Sequence, residues 1–446
     1  MKNKSRNFFL IALLLVMAIC NVCAENYPYR SDFLWVTAPN NTDWLYKTGE
    51  KAQVEVQLYR YGVAQDGEVT YTIGRDMLDA GRMGKVVLKR GKAVVDMGTR
   101  RDPGFLDLCL TANIGGQMTT HHVKVGFSVD KIQPYTKEPA DFTSFWQKEL
   151  DELKSVPLSY TREPAHEYDT DKADAYLVRL VVNRQKQCIY GYLFVPKGCG
   201  KGSCPVVLSP PGAGVKTIKE PLRHRYYADN GCIRFETEIH GLDPRMTDGQ
   251  FKEISTAFNT GANGYLCQGL DSRDDYYMKH VYLGLVRAID FLTSLPEWDG
   301  KNVAVQGGSQ GGALSIVAAA LDSRVTLCCA NHPALADMAA YREKGRTGGY
   351  PHMQRIGVLN ERTEKTLQYY DVVNFARHIS CPVRMTWGGI TTTPVLLQPA
   401  MPYGMCSNVP SLRSLLQSTS IGPATPPKGD IANGYSQILS SRSKGG

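Results

Sequence analysis

Apolar and polar residues alternate along the first quarter of the chain. In Ala52-Gln53-Val54-Glu55-Val56-Gln57-Leu58 every even position is apolar, and the pattern recurs in Val69-Thr70-Tyr71-Thr72-Ile73. Leu106, Leu108 and Leu110 share one face of a further segment, with Asp107 and Cys109 on the other. A period of two is that of a half-buried strand. Short strands separated by Gly, Asn and Asp turns predict a small all-β sandwich over residues 25–132. Such a unit either binds carbohydrate or packs on the domain that follows it.

The period changes beyond Pro134 and Pro139. Phe142, Phe145, Trp146, Leu150 and Leu153 recur at helical spacing and stop before Pro157. Strands are then expected at Tyr176–Asn183, Ile189–Val195, Val206–Leu208 and Ile233–Ile239. A helix is expected over Asp275–Leu292, with Val281, Leu285, Ile289 and Leu292 on its apolar face. Val303-Ala304-Val305 reads as the next strand, followed by a Gly-rich turn and a helix of small residues to Leu321. Strands alternating with helices predict an α/β unit over 135–388, a mostly parallel sheet with helices on both faces. Residues 389–446 lose this grammar. They are rich in Ser, Pro, Gly and Thr and contain no His, so they read as an irregular tail.

The first segment predicts export rather than structure. Lys2, Lys4 and Arg6 precede the apolar run Phe8 to Ile19, and Val22-Cys23-Ala24 supplies small residues before Glu25. This is a secretory signal peptide over residues 1–24, and the mature protein is expected in the periplasm or outside the cell. No later apolar run is long enough for a membrane span. The net charge of +8 is dispersed, which argues for a solvated surface and against a nucleic-acid partner. Of twelve cysteines, ten lie beyond residue 24, and their spacings form neither a disulfide framework nor a zinc pattern. Cys328 and Cys329, inside the apolar run Val325 to Ala330, read as buried strand residues.

The chemistry centres on Gly307-Gly308-Ser309-Gln310-Gly311. Set between a strand and a helix, this pattern makes a sharp turn that lifts a serine hydroxyl above the sheet. The strained turn requires neighbours without side chains, hence Gly307 and Gly311. Ser309 is the expected nucleophile. The Gln310 amide, at the positive end of the following helix, is one expected oxyanion donor. The loop Gly212-Ala213-Gly214 after Val206-Val207-Leu208 offers a second, the Ala213 amide.

These stretches resemble the carbohydrate esterase family of acetyl xylan esterases and cephalosporin-C deacetylases, within the α/β-hydrolase superfamily. Tyr276-Tyr277 through Val286-Arg287-Ala288 to Leu295-Pro296-Glu297, then Gly307-Gly308-Ser309-Gln310-Gly311-Gly312, follows that family's signature in order. Asp371-Val372-Val373-Asn374-Phe375-Ala376 before Cys381-Pro382-Val383 resembles the approach to the strand that carries the family's acid, and Phe142 to Pro157 resembles its first helix. The resemblance implies a secreted esterase that removes acetyl groups from xylan or xylo-oligosaccharides. A non-catalytic carbohydrate-binding protein and a serine hydrolase of another ester are the alternatives. No metal or organic cofactor is implied, since the HExxH and Walker patterns are absent.

Three departures accompany the resemblance. The sandwich is an addition. The family's Arg-Gly-Gln loop reads His240-Gly241-Leu242, where His240 is expected to be satisfied by its neighbours. The third concerns the triad. The resemblance puts an Asp just beyond Met385-Thr386-Trp387-Gly388 and a His later, but the chain reads Gly389-Ile390-Thr391-Thr392-Thr393-Pro394 and has no His after His378. Of the upstream histidines, His332 is expected near the pocket mouth but approaches Ser309 from a different strand end, and His352 and His378 are poorer substitutes. Loss of triad members costs roughly four to six powers of ten in turnover.

The genetic code accounts for the departure. Back-translated with degenerate codons and read one base earlier, Gly389 to Met401 permits Gly-Tyr-Asn-Asp-Asn-Thr-Cys-Pro-Pro-Thr-Thr-Ser-Tyr, the family's pattern with its Asp. One G lost from the run encoding Trp387-Gly388-Gly389 suffices. The same frame permits Gly-His across Pro423-Ala424-Thr425. Residues 389–446 are therefore read as a frameshift product, biological or from sequencing.

Overall fold

The computed structural model describes residues 32–75, 78, 80–258 and 264–386. The expected signal peptide, the tail from 389 onward and the positions of the sought Asp and His lie outside these residues.

The N-terminal strands form two antiparallel sheets. Strand β1 (Phe33–Pro39) pairs with β3 (Ala52–Arg60), which also pairs with the two-residue β4 (Val63–Ala64) and with β7 (Lys92–Gly98). The second sheet has the order β2 (Leu45–Tyr46), β9 (Gln117–Phe127), β8 (Gly104–Ile114), β5 (Gly67–Arg75), β6 (Ala80–Leu88). Strand alternation places its apolar set between the sheets. Ala52, Val54, Val56 and Leu58 from β3 are fully buried, and meet Leu108, Leu110, Val123 and Val125 from β8 and β9 in one core.

The second unit is an eight-stranded sheet. Its strands are β10 (Tyr160–Pro164), β11 (Ala173–Val181), β12 (Cys188–Pro196), β13 (Cys204–Ser209), β14 (Ile233–Thr237), β15 (Trp298–Gly308), β16 (Leu327–Asn331) and β17 (Val383–Thr386). Their order across the sheet is β10-β11-β12-β14-β13-β15-β16-β17. The first three strands join antiparallel as far as β14, and from β14 to β17 every pairing is parallel. The fold is an α/β-hydrolase preceded by a β-sandwich. Parallel strands covered on both faces need no alternation, and β13 is buried at all six positions.

Helices cover the sheet. The first, α1 (Phe142–Lys154), buries Phe142, Phe145, Trp146 and Leu153 at the expected spacing, and the Trp146 indole donates to the Tyr369 carbonyl at 3.0 Å. Helix α2 (Met278–Ser294) buries Val281, Leu285, Ile289 and Leu292 as expected, although it begins three residues later than the apolar pattern suggests. The preceding residues are held in turns, with the Tyr276 amide on the Ser272 carbonyl. Helix α3 (Gln310–Leu321), rich in Ala and Gly, is buried nearly throughout against β15 and β16. Small side chains are what allow so close an approach.

Cys328 and Cys329 are buried in β16. A disulfide joins Cys199 and Cys204, five residues apart at the start of β13. The spacing gave no sign of it, because no wider framework surrounds the pair. The linker is fastened to the second unit: the Tyr135 and Thr136 amides donate to the Asp337 carboxylate at 3.1 and 2.8 Å.

Candidate active site

Ser309 lies between β15 and α3 with φ 57° and ψ −122°. An L-residue held there carries about 1–3 kcal/mol of backbone strain, tolerated only where surrounding structure imposes it. The constraints are visible. The Ser309 amide donates to the Asn331 carbonyl at 3.0 Å, and its own carbonyl accepts from the Ala313 and Ala334 amides at 3.1 and 3.0 Å. A Cβ on Gly307 would collide with the Gly311 carbonyl, and one on Gly311 would lie 2.5 Å from the Pro210 carbonyl oxygen. Gly312 is under the same constraint, since a Cβ there would sit 2.7 Å from the Asn331 carbonyl oxygen. The glycines are what let the loop after β13 and the end of β16 press against the turn.

Among the described residues no side chain hydrogen-bonds the Ser309 hydroxyl, and the residue is half-buried. Gln310 is the first residue of α3 and is fully buried. Its amide is one of the first-turn donors that have no partner within a helix. Ala213 follows β13 in a half-exposed loop. That loop lies against the turn: a Cβ on Gly212 would come 3.8 Å from the Gly308 carbonyl oxygen. The fold thus brings Ser309, Gln310 and the Gly212–Gly214 loop to one end of the sheet.

The loop is held by aromatic side chains, among which Tyr265 was not singled out in the sequence. The Gly214 amide donates to the Tyr265 hydroxyl at 3.1 Å, and that hydroxyl donates to Gln310 Oε1 at 2.6 Å. His240 Nε2 donates to the Gly214 carbonyl at 3.3 Å, and the Tyr277 hydroxyl donates to His240 Nδ1 at 2.7 Å. Burial holds the His240 imidazole down to about 4 and raises the Tyr265 phenol to about 12, so both are neutral near pH 7. His240 is satisfied by its neighbours, as expected. The turn that presents it is built on Glu238, whose buried carboxylate accepts from the Tyr190, His240 and Gly241 amides at 2.7, 2.5 and 3.1 Å. Burial pushes that carboxyl up to about 7 against the opposing pull of these amides. Tyr265 was missed because it opens the single 3-10 turn Tyr265–Cys267, too short to show a period, and only the closed fold brings it to Gln310.

His332 lies beside the turn. A Cβ on Gly308 would be 3.3 Å from its Nε2, and its backbone φ is 36°. Its amide donates to the Thr386 carbonyl at 2.7 Å, and partial desolvation lowers its imidazole from the usual value. It makes no hydrogen bond to Ser309 among the described residues. His378 instead pairs with Glu138, Nε2 to Oε2 at 3.1 Å, and His352 precedes the short helix Met353–Ile356. The His352 ring packs edge-on against Tyr350, 6.2 Å between centroids.

The strand ends beside the turn are in register. Gly308 pairs with Asn331 and Asn331 with Thr386, so three parallel strands end level, and the Thr386 hydroxyl donates to Asn331 Oδ1 at 3.0 Å. Thr386, the last described residue, is separated from the turn by β16.

An α/β-hydrolase sheet carrying a serine on a strained strand-to-helix turn defines the superfamily, and comparison defines the family. The family described as acetyl xylan esterase (AXE1) matches residues 125–401, more than half of the chain. The chain belongs to this family and is a carboxylic-ester hydrolase of the acetyl xylan esterase type. Among characterised relatives it is 58% identical over 381 residues to the acetyl esterase Axe7A of Xylanibacter ruminicola, covering 85% of each chain. Among solved structures, the acetyl xylan esterase of Paenibacillus sp. R4 is 26% identical, with a TM-score of 0.49, over 58% of this chain and 82% of that one. Acetyl xylan esterase 1 of Thermoanaerobacterium sp. JW/SL YS485 is 22% identical, with a TM-score of 0.47, over 58% and 81%. Among the described residues no helix is long and apolar enough to cross a membrane.

Proposed function

We propose that this protein is an exported esterase that removes acetyl groups from xylan or xylo-oligosaccharides, with Ser309 as nucleophile. Ser309 Oγ attacks the ester carbonyl, the carbonyl oxygen takes up negative charge, and the Gln310 and Ala213 amides hold it. Collapse breaks the bond to the sugar oxygen, which leaves as a hydroxyl with the proton given up by Ser309 and relayed through water, and the acetyl-serine is then hydrolysed by water to acetate and free Ser309. The observation that carries this reading is the positive φ of Ser309, imposed by contacts at Gly307, Gly311 and Gly312. A fold maintains such strain where the turn has a use.

Turnover in this sequence is impaired. An unassisted serine hydroxyl is a weak nucleophile, and Asp430 is the only Asp after Thr386, with no His after His378. The acyl-enzyme consequently forms slowly and lacks a base for deacylation. Export is supported by the basic and apolar residues of the first segment. The Cys199–Cys204 disulfide suits an oxidising compartment.

Release of acetate from acetylated xylo-oligosaccharides and of p-nitrophenol from p-nitrophenyl acetate, compared with Ser309→Ala, tests the assignment. A serine-dependent rate is expected on both. Equal rates for the two proteins would remove Ser309 from the mechanism.

A further inference from the structure

We infer that His240 and Tyr265 are positioning residues, which together hold the Ala213 amide in register with the Gln310 amide so that both converge on one oxygen. The inference rests on the assignment of Ser309 and of those two amides.

Two oxyanion donors in this fold come from segments far apart in sequence. One begins α3; the other lies in an exposed loop after β13, where Gly212 and Gly214 leave the backbone loosely constrained. A donor contributes fully only when it is already aimed at the site of developing charge. Something must therefore fix the loop.

The atoms that do so are few. Gly214 follows Ala213 directly, and both of its backbone polar groups are held by side chains: the amide by Tyr265 Oη, the carbonyl by His240 Nε2. Tyr265 passes the connection on, because the hydroxyl that accepts from Gly214 donates to Gln310 Oε1. One phenol oxygen therefore spans the two donor segments. Among the described residues Gln310 Nε2 has no partner, so Tyr265 alone fixes how that buried amide is turned.

Proton positions follow from the partners. A carbonyl can only accept, so His240 Nε2 carries the proton, and Nδ1 is left to accept from Tyr277. The ring is packed edge-on against Phe258 and Tyr265, with centroids 5.2 and 4.8 Å away, which fixes its direction. Where the resemblance leads one to expect an arginine, this chain uses a neutral imidazole as a single donor in an aromatic wall.

Three variants test this: Tyr265→Phe, which removes only the bridging hydroxyl, His240→Ala, and His240→Gln, whose side-chain amide keeps a donor. Hydrogen exchange of the peptide covering Gly212–Gly214 is read first, because it does not depend on turnover. Exchange there should quicken about tenfold in Tyr265→Phe and His240→Ala, as expected for the loss of one hydrogen bond, and return towards wild type in His240→Gln. The Ser309-dependent rate on p-nitrophenyl acetate should fall about tenfold in kcat with KM unchanged, since these residues touch the donor loop and not the substrate. Unchanged exchange at Gly212–Gly214, or a rise in KM with kcat intact, would overturn the inference. A rate that does not depend on Ser309 at all would overturn the underlying assignment instead, and the exchange result would still report on the loop.

Discussion

The Ser309 amide donates to the Asn331 carbonyl across 3.0 Å, which fastens the strained turn to the end of the neighbouring strand. Because Asn331 also stands level with Thr386, the ends of β15, β16 and β17 lie side by side. The site is therefore a property of three strand ends, with the helix and two loops packed over them.

That packing predicts a large effect for a small change. Gly311→Ala puts a methyl group 2.5 Å from the Pro210 carbonyl oxygen, against backbone that has no room to move. Urea denaturation should show a loss of about 2 kcal/mol or more, with any serine-dependent hydrolysis abolished. Retention of full stability would mean that the loop after β13 does not press on the turn.

The imidazoles give a pH signature. Burial holds both His240 and His280 down to about 4 in the folded protein, against an ordinary value of about 6.5. Between those values the unfolded chain binds more protons than the folded one, so their contribution to stability is lost as pH falls from 6.5 to 4. Glu238, raised to about 7, acts with the opposite sign, and stability it favours is lost as pH rises to 7. A single variant separates them. The stability difference between wild type and His240→Gln should shrink when urea melts are moved from pH 7 to pH 5. A constant or widening difference would contradict the neutral, buried histidine.

Asp371 is a structural carboxylate rather than a triad acid. Fully buried before the helix Val372–Ala376, it accepts from the Asp337, Met338 and Val373 amides at 2.9, 3.0 and 3.1 Å. Burial and the neighbouring Asp337 raise its carboxyl above the usual range. Asp371→Ala leaves three buried amides without an acceptor and should cost about 3 kcal/mol in a denaturant melt, without reaching the Ser309 turn directly. Unaltered stability would show that water replaces the carboxylate there.

Much of this was legible beforehand because each signal was local. Alternation at 52–58, the helical spacing from Phe142 to Leu153 and the glycines around Ser309 each state their own geometry. The start of α2 was placed too early because its apolar spacing continues through residues that turns hold outside the helix. Tyr265 and Glu238 were illegible for a different reason, and Tyr277 was visible only as part of the family resemblance. Their roles exist only once a loop, a helix and a strand end meet, and nothing in the spacing of a lone tyrosine announces a hydroxyl that joins the Gly214 amide to the Gln310 side chain. The Cys199–Cys204 bridge is similar, a pair without a surrounding pattern.

The frameshift reading makes a prediction at the level of DNA. The coding strand across Trp387 to Ala400 should contain a run of G, with an Asp codon beyond it and a His codon further on in the alternative frame. Protein expressed from the restored frame should hydrolyse acetyl esters faster by about four powers of ten or more. A coding strand without the G run, or without that His codon, would end the idea.

If acyl transfer passes through the hydroxyl of Ser309, the acetyl group rests there between attack and hydrolysis. The most direct test is mass spectrometry of the protein after incubation with p-nitrophenyl acetate, followed by peptide mapping. On the proposed loss of the base, an acetyl group should accumulate on the peptide containing Ser309 and be absent from that peptide in Ser309→Ala. An unacetylated Ser309, in protein that still hydrolyses the ester as fast as wild type when the serine is replaced, would contradict the account.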